Sequence, residues 1–392
     1  MIMAILIFIL ILSFLIFSHE FGHFILAKIF KVKVEEFGFG LPPRLLGVYQ
    51  EDGKRKFIFG SKDQETEATI YSLNLIPFGG FNKIYGEELK TEKDLKDNKS
   101  FNSKSLPIRA LIVSGGILVG ILAAVVIFYF ILGFNNFSTY QGLIFNYKFP
   151  FGSQNNFPMV SAVLPDSPAE RAKLIPYDLI LKANGSELKS AKEFTGLIKA
   201  SEGKEVLLKV KNLRTKETRE VVVFPETKPS ETGAKIGVGL RELAEIRYSG
   251  ILDKIFSGFL HSANLVHYSL TAFYNLIKVS ILTQSISPIA SQTTGIVGIF
   301  AITKLTIQEV GLAELFNLVA LLSLALAITN FLPLPALDGG RLVFLGCEAV
   351  FKKRASPLIE RKVNAAGLAG LILLYILITY KDILQYKDII FK

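Results

Sequence analysis

Four stretches of this chain, residues 1–18, 110–134, 315–337 and 363–380, carry no charged side chain and are largely apolar. Crossing a bilayer takes roughly 20 such residues in a row. In lipid a backbone must satisfy its own hydrogen bonds, so each stretch is expected to be a helix. The first could pass for a cleaved leader, but no basic residue precedes Lys28 and no small-x-small site closes it. It is read as a retained span. Composition agrees: 20% of the 392 residues are charged, against about 25% in a soluble domain.

Basic residues at the span ends set the orientation. Lys28, Lys31, Lys33 and Arg44 follow the first span, and Lys90, Lys93, Lys96, Lys99, Lys104 and Arg109 precede the second. Arg341, Lys352, Lys353, Arg354, Arg361 and Lys362 follow the third. The opposite flanks hold only Lys148, Lys304, Lys381, Lys387 and Lys392. The richer side should be cytoplasmic, with both termini and the long 135–310 region outside. The net charge of +10 is then explained at a membrane surface, and nucleic acid is not expected as a partner. A lone cysteine, Cys347, rules out an intramolecular disulfide.

Two further segments resist assignment as spans. Residues 279–303 are uncharged but rich in Ser, Thr, Gln and Gly, with Pro288 inside, which argues for a re-entrant or surface-lying segment. Residues 255–282 are amphipathic and aromatic and suit the interface. His261 and His267 there are six apart, off a shared helical face.

Residues 155–228 change character. Charge becomes dense, and β-rich runs occur at 159–164, 179–183, 205–211 and 219–224. Ser167-Pro168 suits a capped helix start with proline in the first turn, and Asn184-Gly185 signals a tight turn. The order strand, S-P-A-x-x-A, D-x-I-x-x-x-N-G, helix, strand resembles a circularly permuted PDZ domain. That resemblance implies a strand edge able to take an extended peptide. It departs at Ala172-Lys173-Leu174 and Tyr177-Asp178, where glycines are common.

The chemistry begins at His19-Glu20-Phe21-Gly22-His23. Positions i and i+4 share a helix face, so both imidazoles can bind one metal ion, and Glu20 is placed to take a proton from an attacking water. Zinc suits nitrogen and oxygen ligands with one position left open. His19 lies 17 residues after Ile2, about 25 Å along the helix at 1.5 Å per residue, at the cytoplasmic side of the membrane. Ionisable groups at that depth are functional by default. A third ligand is needed. Asn330-Phe331-Leu332-Pro333-Leu334-Pro335-Ala336-Leu337-Asp338-Gly339-Gly340-Arg341 breaks the third span with two prolines. By span counting, Asp338 arrives at the level of His23.

H-E-x-x-H in a first span, N-x-x-P-x-P-x-L-D-G-G in a later one and a PDZ-like insert between them resemble the site-2 protease family of intramembrane zinc metalloproteases. The bacterial regulator-of-sigma-E protease branch is the nearest match. Phe37-Gly38-Phe39-Gly40 is similar to the family's G-F-G element, and residues 70–81, ending in Pro77-Phe78-Gly79-Gly80-Phe81, to its membrane-associated β-hairpin. Gly115-Gly116-Ile117-Leu118-Val119 and Gly295-Ile296-Val297-Gly298 depart from family patterns.

The resemblance implies a polytopic α-helical membrane protein of four transmembrane helices, a membrane-associated β-hairpin and an inserted β-rich PDZ domain. Its parts would be a membrane portion over 1–134, the PDZ domain over 155–228, an amphipathic or re-entrant linker over 229–311, and a second membrane portion over 312–392. It implies zinc held by His19, His23 and Asp338, Glu20 as catalytic base, and substrate contacts from Asn330, Pro333, Pro77, Gly79 and Gly80. The expected activity is cleavage of transmembrane segments of single-span proteins in a bacterial cytoplasmic membrane, such as anti-sigma factors or remnant signal peptides. The PDZ domain would lie outside, filtering substrates by size or binding a peptide. Two rival readings are a metal-ion carrier and an inactive membrane scaffold with a peptide-binding PDZ domain.

Overall fold

The computed structural model describes residues 1–60, 64, 66–87, 97–227, 233–311 and 313–390. Lys90, Lys93, Lys96 and Lys392 of the flanking basic residues lie outside that set. The chain divides into two compact units, residues 1–128 with 277–392, and Tyr129–Leu276.

In the first unit, helix α1 (Ile2–Ile29) leads into a sheet of β1 (Val34–Glu51), β2 (Lys54–Phe59) and β3 (Ile70–Ile84), followed by α2 (Leu106–Phe134). β1 bends where Gly40 takes a φ of +82° and Pro42-Pro43 follow. β3 bends at Gly79, where φ is +67°. The bent halves interleave. Residues 36–39 pair with 70–73 on one side and 80–83 on the other, while 46–51 pair with β2. Residues 80–84 therefore form an outer edge, with no further strand partner among the described residues. The bend that precedes that edge lies against α1: Ser13 Oγ donates to the Pro77 carbonyl at 3.1 Å and accepts from the Gly79 amide at 3.3 Å.

The second unit carries a sheet ordered β4 (Ser138–Leu143), β10 (Val238–Arg247), β5 (Ser153–Val163), β6 (Asp178–Ala183), β8 (Val206–Asn212) and β9 (Thr218–Val223), with β7 (Ser186–Glu187) on β6. Asn184 and Gly185, both at positive φ, make the β6–β7 turn. Helix α3 (Pro168–Arg171) opens on Ser167, whose hydroxyl accepts the Glu170 amide at 3.3 Å. Helix α4 (Ala191–Ala200) buries Phe194 and Ile198, one turn apart, on Val160, Ile180, Leu208 and Val210. Three strands, β4, β7 and β10, fall outside the β-rich runs visible in sequence. β4 covers residues 242–247 of β10, leaving 238–241 unpaired on that side among the described residues.

The remaining helices are α5 (Ile251–Ile255), α6 (Ser257–Leu282), α7 (Ser287–Gln292), α8 (Ile296–Leu305), α9 (Ala313–Phe331), α10 (Asp338–Phe351) and α11 (Pro357–Ile390). Among the described residues, five helices are long and apolar enough to cross a membrane: α1, α2, α6, α9 and α11. The protein is a membrane protein. The fifth candidate, α6, is the amphipathic stretch, and its mean hydropathy of 1.2 is the lowest of the five.

Candidate metal centre

The site forms where α1, α2 and the start of α10 meet. The two helices α1 and α2 cross at backbone contact: a Cβ on Gly22 would lie 2.1 Å from the Gly115 carbonyl oxygen, and one on Gly115 2.5 Å from that of Gly22. Small residues permit such approach between apolar helices. Gly116 then leaves room for both imidazoles, since a methyl group there would sit 2.4 Å from His19 Cε1 and 2.6 Å from His23 Nε2.

His23 Nδ1 lies 2.9 Å from the Ile112 carbonyl of α2. A carbonyl only accepts, so Nδ1 carries the hydrogen and donates, and the lone pair of the neutral ring sits on Nε2. That lone pair points at a small triangle. His23 Nε2 is 3.3 Å from His19 Nε2, and Asp338 Oδ2 is 3.1 Å and 3.2 Å from the two nitrogens. The side chains are only 12–16% exposed, and Oδ2 makes no hydrogen bond.

Asp338 is delivered by a built break in the helical path. α9 stops at Phe331, and α10 begins at Asp338 itself. Between them Ala336 holds a φ of +69°, its amide bonded to Asn364 Oδ1 of α11 at 3.2 Å. A Cβ on Gly339 would fall 2.0 Å from the Leu332 carbonyl oxygen, and one on Gly340 2.3 Å from that of Leu334. The paired glycines thus let α10 fold back on the proline loop. Gly367 of α11 gives Pro335 the same room.

The three ligand atoms fit a divalent cation. A tetrahedron with zinc–ligand bonds of roughly 2.0–2.1 Å has edges of about 3.3 Å. The observed separations match those edges. Two imidazole nitrogens and a carboxylate oxygen supply the donor set that zinc takes, and an unpaired buried oxygen facing a nitrogen lone pair is costly without a cation between them. Glu20 lines the same cavity, about 260 Å³, with Asn82, Glu87, Leu337 and Arg341.

The expected substrate residues are distributed differently. Gly79 and Gly80 are buried on α1, where added methyl groups would meet Ile16 Cγ2 at 2.5 Å and Phe17 Cδ2 at 3.1 Å. Pro77 and Pro333 are exposed, and Asn330 is half-buried in the last turn of α9. Three groups escaped the sequence reading. Glu87 pairs with Arg341, and Asn82 enters the cavity. Gly115-Gly116 was visible as a dipeptide, but its function depends on what it crosses.

The comparisons with known proteins follow the same geography. The model of peptidase family M50 matches residues 7–374. A Clostridium perfringens protein carrying a zinc metalloprotease name is 30% identical over 378 residues, covering 95% of this chain and 96% of that one. Zinc metalloprotease RasP of Shouchella clausii is 28% identical over 96% of this chain and 97% of its own. A chloroplastic membrane metalloprotease of Arabidopsis thaliana, ARASP2, is 29% identical over 96% and 78%. Among solved structures, the PDZ domain of an SdrC-like protein from Listeria monocytogenes matches 24% of this chain and 93% of its own, with 23% identity and a TM-score of 0.20. Matched from its first helix to its last, the chain belongs to peptidase family M50, the zinc-dependent site-2 protease family.

Proposed function

We propose that this protein is an intramembrane metalloendopeptidase that hydrolyses a peptide bond in or beside the transmembrane segment of another membrane protein. The triangle of His19, His23 and Asp338 atoms, 3.1–3.3 Å apart in an apolar helix crossing, carries the reading. Those three side chains would hold zinc, which when bound would supply a Lewis acid for a substrate carbonyl and for the attacking water. Glu20 accepts the proton of the attacking water and returns it to the leaving amine. The cavity lining is polar enough to admit water.

A helical substrate must unwind before its carbonyls can be reached. The outer strand of residues 80–84 compensates by offering backbone groups to the unwound segment. Exposed Tyr71, Leu73, Leu75 and Ile76 give β3 an apolar surface that would suit lipid, where such a segment would arrive. Pro77 and Pro333, both exposed, and Asn330 frame its path.

Four helices cross the bacterial cytoplasmic membrane in this reading: α1, α2, α9 and α11. Parity supports it. Asp338 follows α9 and meets residues near the end of α1, so both helices run in one direction, opposite to α2. Between α2 and α9 the chain crosses an even number of times. The apolar helix that α8 opens, Ile296–Gln308 or about 20 Å long, is too short to return a crossing by α6, which leaves α6 at the interface. Residues 155–228 then lie outside the cell and are read as the PDZ domain, with residues 238–241 of β10, paired to β5, as an open strand edge.

The test uses the purified full-length protein in liposomes with a panel of single-span membrane proteins. Wild type should bind one zinc and release fragments. Glu20→Gln should keep the zinc while turnover falls roughly 10²–10⁴-fold. A metal carrier or a scaffold would be indifferent to the substitution. A zinc-loaded wild type that cleaves nothing in the panel, or equal cleavage by both forms, would sink the reading.

A further inference from the structure

The cavity beside the metal triangle holds a carboxamide that the fold leaves unsatisfied. Asn82 lies on the outer strand of the first sheet, opposite Phe37 of β1. Its Nδ2 and Oδ1 are both buried, and neither has a hydrogen-bond partner among the described residues. The side chain lines the same cavity as His19, Glu20, His23 and Asp338. A buried amide with nothing to bond is destabilising. The position itself does not call for one: a strand favours β-branched residues, and Ile84, Ile112 and Val113 line the cavity alongside.

A carboxamide offers N–H donors and an acceptor oxygen side by side, which is the complement of a peptide group. The backbone edge of residues 80–84 is also free of strand partners among the described residues. Asn330, which the resemblance implies as holder of the substrate backbone, is absent from the cavity lining among those residues. We infer that Asn82 binds substrate through its side chain, Nδ2 donating to a backbone carbonyl and Oδ1 accepting the N–H of the same stretch, beside the metal triangle. The inference rests on the metalloprotease reading and narrows it. An intact helix keeps its N–H and C=O groups bonded to itself, so Asn82 selects segments already unwound and extended at the point of cleavage.

Two zinc-directed probes separate this from the parent reading: acetohydroxamate, which reaches only the metal, and a tripeptide hydroxamate, whose backbone would run past Asn82. The protein is full-length and zinc-loaded, and the variants are Asn82→Val and Asn82→Asp. In Asn82→Val the tripeptide probe should bind about tenfold more weakly, while acetohydroxamate affinity and zinc content stay unchanged. Its thermal midpoint should equal or exceed that of wild type, because a buried unbonded amide has been removed. Asn82→Asp keeps the shape but loses the donor, and should also weaken the tripeptide probe. Tripeptide affinity within twofold of wild type in Asn82→Val would overturn the inference. So would a lowered midpoint with lost zinc, the mark of a purely structural residue. If acetohydroxamate fails to bind wild type, the metal reading falls first and this one with it.

Discussion

Single atoms decide the metal centre, and the most exposed dependence is on a hydrogen. Gly116 of α2 leaves the imidazole pair room that an added methyl group would fill, so Gly116→Ala must displace His19 or His23 from the triangle. Zinc affinity should drop roughly 10–100-fold, the range seen when the groups that orient metal ligands are disturbed. Equilibrium dialysis against a competing chelator would measure it, and unchanged affinity would contradict the packing argument. The residues that cluster as a candidate metal site, His19, His23 and Asp338, were legible from residues alone. H-E-x-x-H announces itself by spacing, and Pro-x-Pro with Gly-Gly announces a break that a plain helix end does not need. Asn82 and Glu87 were not legible, because neither sits in a pattern. They become part of the site only when a strand folds back along α1.

At the level of strands and helices, the second unit's sheet depends on a buried carboxylate. Asp178 opens β6 with its side chain 0% exposed. It accepts two bonds from Arg219 of β9, at 3.0 Å and 2.6 Å, and one from Asn212 of β8 at 3.0 Å. Removing one partner of such a group typically costs 3–5 kcal/mol. Asp178→Ala should therefore lower the stability of this unit by about that much, as urea unfolding followed by the protection of β6 and β8 amides would show. A loss under about 1 kcal/mol would mean that the cluster is solvated. The four runs read as strands match β5, β6, β8 and β9 to within six residues at the start of β5 and one residue at every other end, because alternation marks half-buried strands. β10 escaped for an identifiable reason: Val238–Arg247 is rich in Leu, Glu, Ala and Arg, good helix formers, and becomes a strand because β4 and β5 pair with it on both sides. β1 escaped because Pro42-Pro43 reads as a strand breaker, yet the prolines sit at its bend.

Across the whole molecule, the crossing count makes a direct prediction. With Cys347 replaced by alanine, single cysteines at Ser285 and Ser356 report on opposite sides of the membrane. A membrane-impermeant thiol reagent added outside intact cells should label Ser285→Cys and spare Ser356→Cys. Labelling of the second and not the first would invert the orientation drawn from the basic flanks. The ligand set also spans the sequence, since two imidazoles enter at positions 19 and 23 and the carboxylate only at 338. A ribosome making this protein synthesises more than three hundred residues before the third ligand emerges. In the proposed reading, the nascent polypeptide until then owns a base and two of its three metal ligands. On that reading it could not yet hydrolyse its neighbours at the translocon, and the order of synthesis would itself keep the unfinished protein harmless.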